Sequence, residues 1–187
     1  MIYLSKEEFT EDHFVSLLEQ TKNGIIATFK DKDPKGINGT SFEDSVYKQM
    51  LLSAKGSSFN GHIIKTGAHA FPDIVARDVF GVEVKMTIGD KWISTGNSVL
   101  ESTRIGKVDT IYMFFGKFGA EFDAKFRKYQ DCLYEIGVTH SPRYKIDMNL
   151  PEGESIFAKL GVDYNDFRNE DNPIKRLKTY YKAQLKK

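Results

Sequence analysis

Three ionisable residues stand close together in a stretch that is otherwise rich in valine, isoleucine and phenylalanine. They are Asp73, which follows Pro72, and the pair Glu83 and Lys85, which flank Val84. Because side chains alternate between the two faces of a β-strand, a strand here directs Glu83 and Lys85 to one face and the valines to the other. An unpaired carboxylate on a half-buried face is costly, and a second one nearby adds repulsion. The pattern therefore indicates that something compensates the two carboxylates.

A divalent cation compensates them most directly. A few oxygen ligands that converge on a face open to solvent suit Mg²⁺, with Mn²⁺ as a substitute, and both ions accept phosphate oxygens. Such an ion polarises a phosphodiester and generates a nucleophile from water. A neighbouring lysine orients the water or neutralises developing negative charge. We therefore predict that Asp73 and Glu83 bind the metal and that Lys85 supports hydrolysis.

Other acid-x-Lys triplets occur in the chain at Asp33-Pro34-Lys35 and Asp123-Ala124-Lys125. The first falls in a predicted loop, and the second in a predicted helix, where residues two apart do not face each other. A purely structural alternative stays open for the hairpin. In it, Asp73 and Lys85 form an ordinary cross-strand ion pair, and Glu83 is a carboxylate at the rim.

Pro72-Asp73 and Glu83-Val84-Lys85 together resemble the signature of the PD-(D/E)xK nuclease superfamily, which includes most type II restriction endonucleases. Upstream, the stretch GTSFEDSV at residues 39–46 is similar to the context G-x-x-F-E-x-x-V, in which many members carry a further glutamate, here Glu43. The resemblance covers residues 39–115 and implies a mixed sheet flanked by helices. It also implies that Asp73, Glu83 and the Val84 carbonyl bind Mg²⁺, that Lys85 assists the water, and that Glu43 assists catalysis.

The function that this resemblance implies is Mg²⁺-dependent endonucleolytic cleavage of double-stranded DNA at a specific site. A homodimer is expected, because a palindromic site matches a two-fold axis. Two alternatives remain. One is a nuclease of the same superfamily that acts in DNA repair, junction resolution, or a phage or mobile element. The more distant one is a nucleic-acid-binding module that keeps the fold without the chemistry.

Polar residues that follow the predicted catalytic strand are candidates for DNA contacts. Their side chains are of the types that bind phosphates, sugars and base edges. The candidates are Lys91, Trp92, Ser94, Thr95, Asn97 and Arg104, with a second group at His140 and Arg143. The alternative for the first group is a capped surface helix that Trp92 anchors.

Hydrophobic periodicity and turn residues predict the elements that position these residues. Helices are expected at 6–23, ending at Asn23-Gly24, and at 40–56, capped by Thr40 or Ser41. A short helix is expected from Asn97 or Ser98 to Glu101. The remaining predictions are strands at 61–67, 73–77, 81–86, 110–115 and 138–150, and helices at 120–137, 155–169 and 173–187. This order describes a mixed α/β domain, with a small sheet between helices.

Composition sets the class of protein. The 187 residues are 40% hydrophobic and 13% aromatic, which fits one folded domain with a sizeable core, including a catalytic core at 39–136. The single cysteine, Cys132, favours a reducing, cytoplasmic setting, and no apolar run is long enough to cross a membrane. Residues 173–187 contain lysine and arginine but no acid. This tail either neutralises phosphates or is a solvated helix.

Overall fold

The computed structural model describes residues 9–137 and 141–186. It has the mixed α+β architecture that the sequence predicts. The helices are Glu11–Phe29 (α1), Gly39–Ser53 (α2), Ile156–Leu160 (α3), Tyr164–Arg168 (α4) and Pro173–Gln184 (α5). The strands are Ile63–Lys65 (β1), Ile74–Ala76 (β2), Phe80–Thr87 (β3), Ile93–Ser98 (β4), Thr110–Lys117 (β5), Asp123–Lys128 (β6), Leu133–Gly137 (β7) and Arg143–Asp147 (β8).

Helix α1 begins and ends later in the chain than predicted, since it starts at Glu11 after the N-cap Thr10 and runs through Asn23-Gly24 to Phe29. The two residue types that suggest a stop are overridden by packing, because Ile25 and Phe29 are buried in the core. Gly24 has a packing role instead. A Cβ atom there would lie 2.2 Å from the Gln49 side chain of α2, so glycine lets the two helices approach closely.

Helix α2 begins one residue before the predicted start. Its N-cap is Asn38, whose side chain accepts a hydrogen bond from the Ser41 amide at 3.0 Å. The Ser41 side chain lies 3.0 Å from the Asn38 amide and accepts its hydrogen bond. This reciprocal capping box replaces the predicted cap at Thr40 or Ser41.

The larger sheet has five strands in the order β1-β2-β3-β5-β6. Strands β3 and β5 are parallel, and the other neighbours are antiparallel. The predicted hairpin is confirmed as β2 and β3, and its turn places Arg77 and Asp78 at positive φ. The predicted central position of the apolar strand β5 is also confirmed.

A second sheet of three antiparallel strands has the order β4-β8-β7. The predicted short helix from Asn97 or Ser98 to Glu101 is wrong, because this stretch belongs to β4 and the turn that follows. Pairing with β8 decides the structure, with Ile93 opposite Asp147. The predicted strand around residues 138–150 is confirmed as β8, within the part of it that the structure describes.

The predicted helix at 120–137 is wrong. The segment forms β6, a short 3₁₀ helix at Tyr129–Cys132, and β7. Its large apolar residues recur every three or four positions, which suits a helix. In the structure β6 instead pairs along its whole length with β5, and Cys132 lies buried in the 3₁₀ helix, where its thiol contacts the Tyr129 carbonyl.

Two hydrophobic cores lie on opposite faces of the larger sheet. The first packs α1 and α2 against one face and includes Val82 and Val84 of β3. The second packs the smaller sheet and the helices α3, α4 and α5 against the other face and includes Met113 and Phe115 of β5. The sequence predicts these three helices correctly as helical segments. Since Glu83 and Lys85 pair with Met113 and Phe115 across the sheet, the two charged residues share that second face.

None of the helices within the described ranges combines the length and the apolar character that crossing a membrane requires.

Candidate active site

The β2–β3 hairpin brings Asp73 next to Glu83. In its register Ile74 pairs with Val82, so the residue before β2 lies beside the residue after Val82. The side chain of Asp73 confirms this placement, because its Oδ2 accepts a hydrogen bond from the Val84 amide at 2.7 Å. The sequence pattern left this register open, and the structure defines it.

The backbone at Asp73 is held from two sides. The Thr66 hydroxyl donates to the Pro72 carbonyl at 2.8 Å, and the Thr66 amide donates to the Asp73 carbonyl at 2.9 Å. On the other side, Pro72 packs directly on Gly81 of β3. A Cβ atom at Gly81 would lie 2.4 Å from the Pro72 ring, so only glycine leaves room for this contact.

Glu83 is the most enclosed carboxylate of the site. Its side chain is only 3% exposed, and its Oε1 lies 2.5 Å from the Lys85 ammonium nitrogen. Its other oxygen, Oε2, is buried without a hydrogen-bond partner among the described residues. A buried carboxylate oxygen without a donor leaves its desolvation uncompensated. Glu83 therefore has one satisfied oxygen and one that is available to a ligand.

Burial raises the pKa of Glu83 to about 7, and the neighbouring Asp73 carboxylate acts in the same direction, while Lys85 opposes both. Burial also raises the pKa of Asp73, against the hydrogen bond from the Val84 amide. The two carboxyl groups are close enough to hydrogen-bond each other when one of them is protonated. In the metal-free protein the pair therefore favours holding a proton.

Lys85 keeps its positive charge in this setting. Burial, the largest single influence, would lower its pKa, but the carboxylates of Glu83, Asp73 and Glu43, with Glu83 foremost, together outweigh burial, and the pKa is raised. A protonated lysine can donate hydrogen bonds and stabilise negative charge, but it cannot act as a base.

The donor atoms of the site fit a hard divalent cation. In the described part of the chain, no three or more His, Cys, Asp or Glu side chains group together in a ready metal site. Mg²⁺ needs fewer protein ligands than that, because it keeps several waters and is commonly bound by one or two carboxylates. Asp73 and Glu83 supply two, and the unpaired Oε2 of Glu83 is the kind of atom that a cation satisfies. The Val84 carbonyl remains a predicted third donor.

Glu43 reaches the neighbourhood of the site from the N-terminal end of α2. It lies close enough to raise the pKa of both Asp73 and Lys85. Its direct partner is Lys65 of β1, at 3.0 Å, which also pairs with Asp44. Sequence reasoning missed Lys65, although it lies on the strand that neighbours β2.

The predicted DNA contacts occupy different environments. Lys91, Thr95 and Arg143 are exposed, while Ser94 and Asn97 are partly exposed. Ser94, Thr95 and Asn97 belong to β4, which is an edge strand of the smaller sheet, and Lys91 lies two residues before that strand. A role of these residues in DNA contact stays a prediction. His140 lies outside the described residues.

Trp92 and Arg104 lie inside the protein. Trp92 packs on Phe115, and the ammonium of Lys125 lies 4.5 Å from its ring centroid. The side chain of Arg104 is 6% exposed and forms an ion pair with Glu101 at 2.8 Å. In this arrangement the Arg104 guanidinium has no free face for a DNA phosphate. Trp92 anchors the start of β4. The alternative prediction, a capped surface helix that Trp92 anchors, is wrong because the chain forms a strand here.

The triplet Asp123-Ala124-Lys125 lies in β6, so its predicted place in a helix is wrong. It differs from the hairpin triplet in its surroundings. Asp123 accepts a hydrogen bond from the Ala124 amide, and Lys125 contacts Asn149 at 2.5 Å. Both side chains are partly exposed, so this triplet offers no pair of buried carboxylates.

Neither the scan of family models nor the search of curated proteins produced a match for this sequence. The geometry of the site and the short motif are therefore what connect it to a function.

Proposed function

We propose that this chain is a Mg²⁺-dependent DNA endonuclease that hydrolyses phosphodiester bonds. The observation that carries the proposal is the pair of neighbouring carboxylates, the buried Glu83 and the partly buried Asp73, beside a charged lysine. Their spacing resembles the PD-(D/E)xK signature, and site-specific cleavage of double-stranded DNA by a homodimer of the type II restriction kind is the activity that we favour.

The proposed chemistry divides the work among three side chains. A bound Mg²⁺ would supply the Lewis acidity that activates water and stabilises the charge on the phosphate. Asp73 and Glu83 would hold it, and the hydrogen bond from the Val84 amide orients the Asp73 carboxylate for that purpose. Lys85, which stays protonated, would donate a hydrogen bond to the attacking water or to the phosphate oxygens.

The purely structural alternative, in which Asp73 and Lys85 form an ordinary cross-strand ion pair and Glu83 lies at the rim, explains less of the geometry. It pairs Lys85 with Asp73 across the strands, but Lys85 pairs with Glu83 on its own strand. It also places Glu83 at an exposed rim, whereas the side chain of Glu83 is only 3% exposed. One lysine leaves the buried Glu83 and the partly buried Asp73 with an excess of negative charge when both are ionised, and a chain selected for stability alone gains more from apolar residues at such positions.

Incubation of supercoiled plasmid DNA with the protein and Mg²⁺ tests the proposal. We expect the wild-type protein to nick or linearise the plasmid, and Lys85→Ala to reduce the rate by about 100-fold or more, because charge stabilisation in the transition state is lost. Lys125→Ala is the matched control, since it removes the lysine of an acid-x-Lys triplet on another strand of the same sheet. We expect its rate to stay within about threefold of the wild-type rate.

Two results would contradict the proposal. One is equal cleavage by the wild-type protein and Lys85→Ala, which would indicate a contaminating nuclease. The other is binding of DNA without cleavage under Mg²⁺ and Mn²⁺, which would favour the non-catalytic module. If cleavage occurs, duplex, branched and single-stranded substrates separate the restriction function, which gives discrete duplex fragments, from repair or junction resolution.

A further inference from the structure

A buried polar cluster lies beneath the connection between β4 and β5. The Arg104 Nη1 donates to Glu101 Oε2 at 2.8 Å and to the Tyr164 hydroxyl at 2.7 Å. The Tyr164 hydroxyl donates in turn to Glu101 Oε1 at 2.7 Å. The cluster thus joins three side chains in a closed ring of hydrogen bonds, and it fastens the β4–β5 connection to α4.

Arg104 organises the surrounding chain. Its Nη2 donates to the carbonyls of Val108 and Asp109, at 2.9 and 3.3 Å, just before β5 begins. Its guanidinium also lies 5.6 Å from the ring centroids of both Phe71 and Tyr164. One side chain therefore contacts the segment before β5, helix α4 and the residue that precedes Pro72.

The backbone around Arg104 is hydrogen-bonded to Phe71, in the segment that leads into Asp73 and β2. The Phe71 amide donates to the Thr103 carbonyl at 3.1 Å, and the Ile105 amide donates to the Phe71 carbonyl at 2.9 Å. These two bonds form a parallel bridge between Phe71 and Arg104. Because Phe71 lies only two residues before Asp73, a shift of Arg104 would displace the segment that leads to Asp73 and β2.

Several unfavourable features coincide in this cluster. The Arg104 Nε is buried without a hydrogen-bond partner among the described residues, and no partner there bonds the buried hydroxyls of Tyr129 and Tyr144, which lie in the neighbouring core outside the cluster. Glu101 has a φ of 41°, which is strained for a residue other than glycine. Burial raises its pKa, despite the hydrogen bonds from Tyr164 and Arg104. Buried ion pairs add little to stability compared with apolar packing, so a function other than stability explains their presence better.

We propose that Arg104 is a positioning residue which, held by Glu101 and Tyr164, fixes the segment 71–73 before β2 so that the Asp73 carboxylate stays beside Glu83. This inference rests on the proposed function for its consequence, cation binding, but the positioning itself can be measured without a metal. It also replaces the role in DNA contact that the sequence suggested for Arg104.

The variant Tyr164→Phe tests the proposal, because it removes the hydroxyl that bonds both Glu101 and Arg104 and leaves the ring in place. Tyr144→Phe is the matched control, since it removes a buried hydroxyl of the same core that has no partner among the described residues. Arg104→Lys keeps the charge but cannot bond Tyr164 and Val108 together, so it provides a second variant with the same expected direction. Circular dichroism establishes that each variant is folded.

Hydrogen exchange in the metal-free protein measures the positioning directly. The reporters are the Phe71 and Ile105 amides, which form the bridge, and the Val84 amide, which donates to Asp73. We expect about tenfold faster exchange at these three amides in Tyr164→Phe than in the wild-type protein, as local opening becomes easier, and no change in Tyr144→Phe. Unchanged protection at all three amides in both Tyr164→Phe and Arg104→Lys would overturn the proposal.

Calorimetric titration with Mn²⁺ then connects positioning to the site. We expect Tyr164→Phe to bind Mn²⁺ about tenfold more weakly than the wild-type protein, as for other residues that orient metal ligands, and Tyr144→Phe to bind normally. Faster exchange without Mn²⁺ binding by any protein would retain the positioning role and contradict the proposed function. Normal Mn²⁺ binding by Tyr164→Phe would overturn the positioning role and leave the proposed function intact.

Discussion

At the scale of single residues, the site depends on how Glu83 is satisfied, because one of its carboxylate oxygens contacts Lys85 and the other has no hydrogen-bond partner among the described residues. Strand alternation correctly places Glu83 and Lys85 on one face and Val82 and Val84 on the other, because this periodicity is local. The partner of Lys85 depends on distances of a few ångströms in the folded protein. For the same reason Lys65 was missed and Arg104 was assigned to the DNA groove, since burial of a polar side chain cannot be read from its type.

The raised pKa of Glu83 predicts how the stability of the metal-free protein depends on pH. Since the ordinary value is 4.5 and the folded-state pKa is about 7, folding favours the protonated form. The stabilisation is complete below pH 4.5 and is lost as the pH rises to about 7. Glu83→Gln removes this loss and leaves Lys85 balanced against Asp73. We expect it to be more stable than the wild-type protein at about pH 8, by on the order of 2 kcal/mol.

Urea denaturation of the metal-free proteins at about pH 8 and about pH 5 measures this difference, which should shrink at the lower pH. Glu135→Gln is the control, since Glu135 is an exposed carboxylate that also pairs with a lysine, Lys145. We expect that variant to differ from the wild-type protein by less than about 1 kcal/mol. A Glu83→Gln protein that is less stable than the wild-type protein at the higher pH would show that Glu83 is fully compensated without a cation.

At the scale of elements, the hairpin was predictable and the segment 120–137 was not. In the hairpin, β-branched residues, alternation and a turn all favour the same structure. In the later segment, Phe122, Phe126 and Tyr129 recur at helical spacing, but β6 pairs with β5, and the chain then changes direction at the 3₁₀ helix. Residues four apart, such as Phe122 and Phe126, lie on one face of a helix and also on one face of a strand. Only the pairing with β5 decides between the two structures. Asn97 and Ser98 likewise suit the start of a short helix, where pairing with β8 produces the end of β4.

The contact between Pro72 and Gly81 predicts a specific sensitivity of the hairpin. In Gly81→Ala the new methyl group would lie 2.4 Å from the Pro72 ring and 2.9 Å from Val108, so the strand that carries Asp73 must move. We expect the free energy of unfolding to fall by about 1–3 kcal/mol, the usual cost of overpacking, and Mn²⁺ affinity to fall with it. Thermal denaturation and calorimetric titration measure the two effects.

Gly106→Ala is the matched control for this substitution, because, apart from its chain neighbours, no atom of the described residues lies within 4 Å of the position that its Cβ would take. We expect it to change the free energy of unfolding by less than about 0.5 kcal/mol. If both glycine variants had the same stability and the same Mn²⁺ affinity as the wild-type protein, Pro72 would not depend on a close approach to β3.

At the scale of the whole molecule, the two hydrophobic cores share the five-stranded sheet. Phe42 belongs to the first core and Phe167 to the second, and both side chains are fully buried. Because β2 and β5 contribute residues to both cores, we expect one cooperative unfolding transition. Phe42→Ala and Phe167→Ala should each shift that single transition and lower the free energy of unfolding by about 3–5 kcal/mol.

Calorimetry and denaturation followed by tryptophan fluorescence test this expectation, since Trp92 reports on the second core. Two separate transitions, each sensitive to only one of the two substitutions, would divide the chain into independent units and contradict the single domain that the sequence predicts. The same shared sheet gives the site its rigidity, because Glu83 and Lys85 lie on β3 between two packed faces.

The central claim is that Asp73 and Glu83 together bind a divalent cation. Crystals grown with Mn²⁺ test it most directly, because anomalous scattering locates the ion independently of the protein chain. The account predicts one strong anomalous peak bonded to carboxylate oxygens of both Asp73 and Glu83, and its loss in Glu83→Gln. A wild-type crystal in saturating Mn²⁺ with no peak between these two residues, or with the ion bound only at other carboxylates, would contradict it.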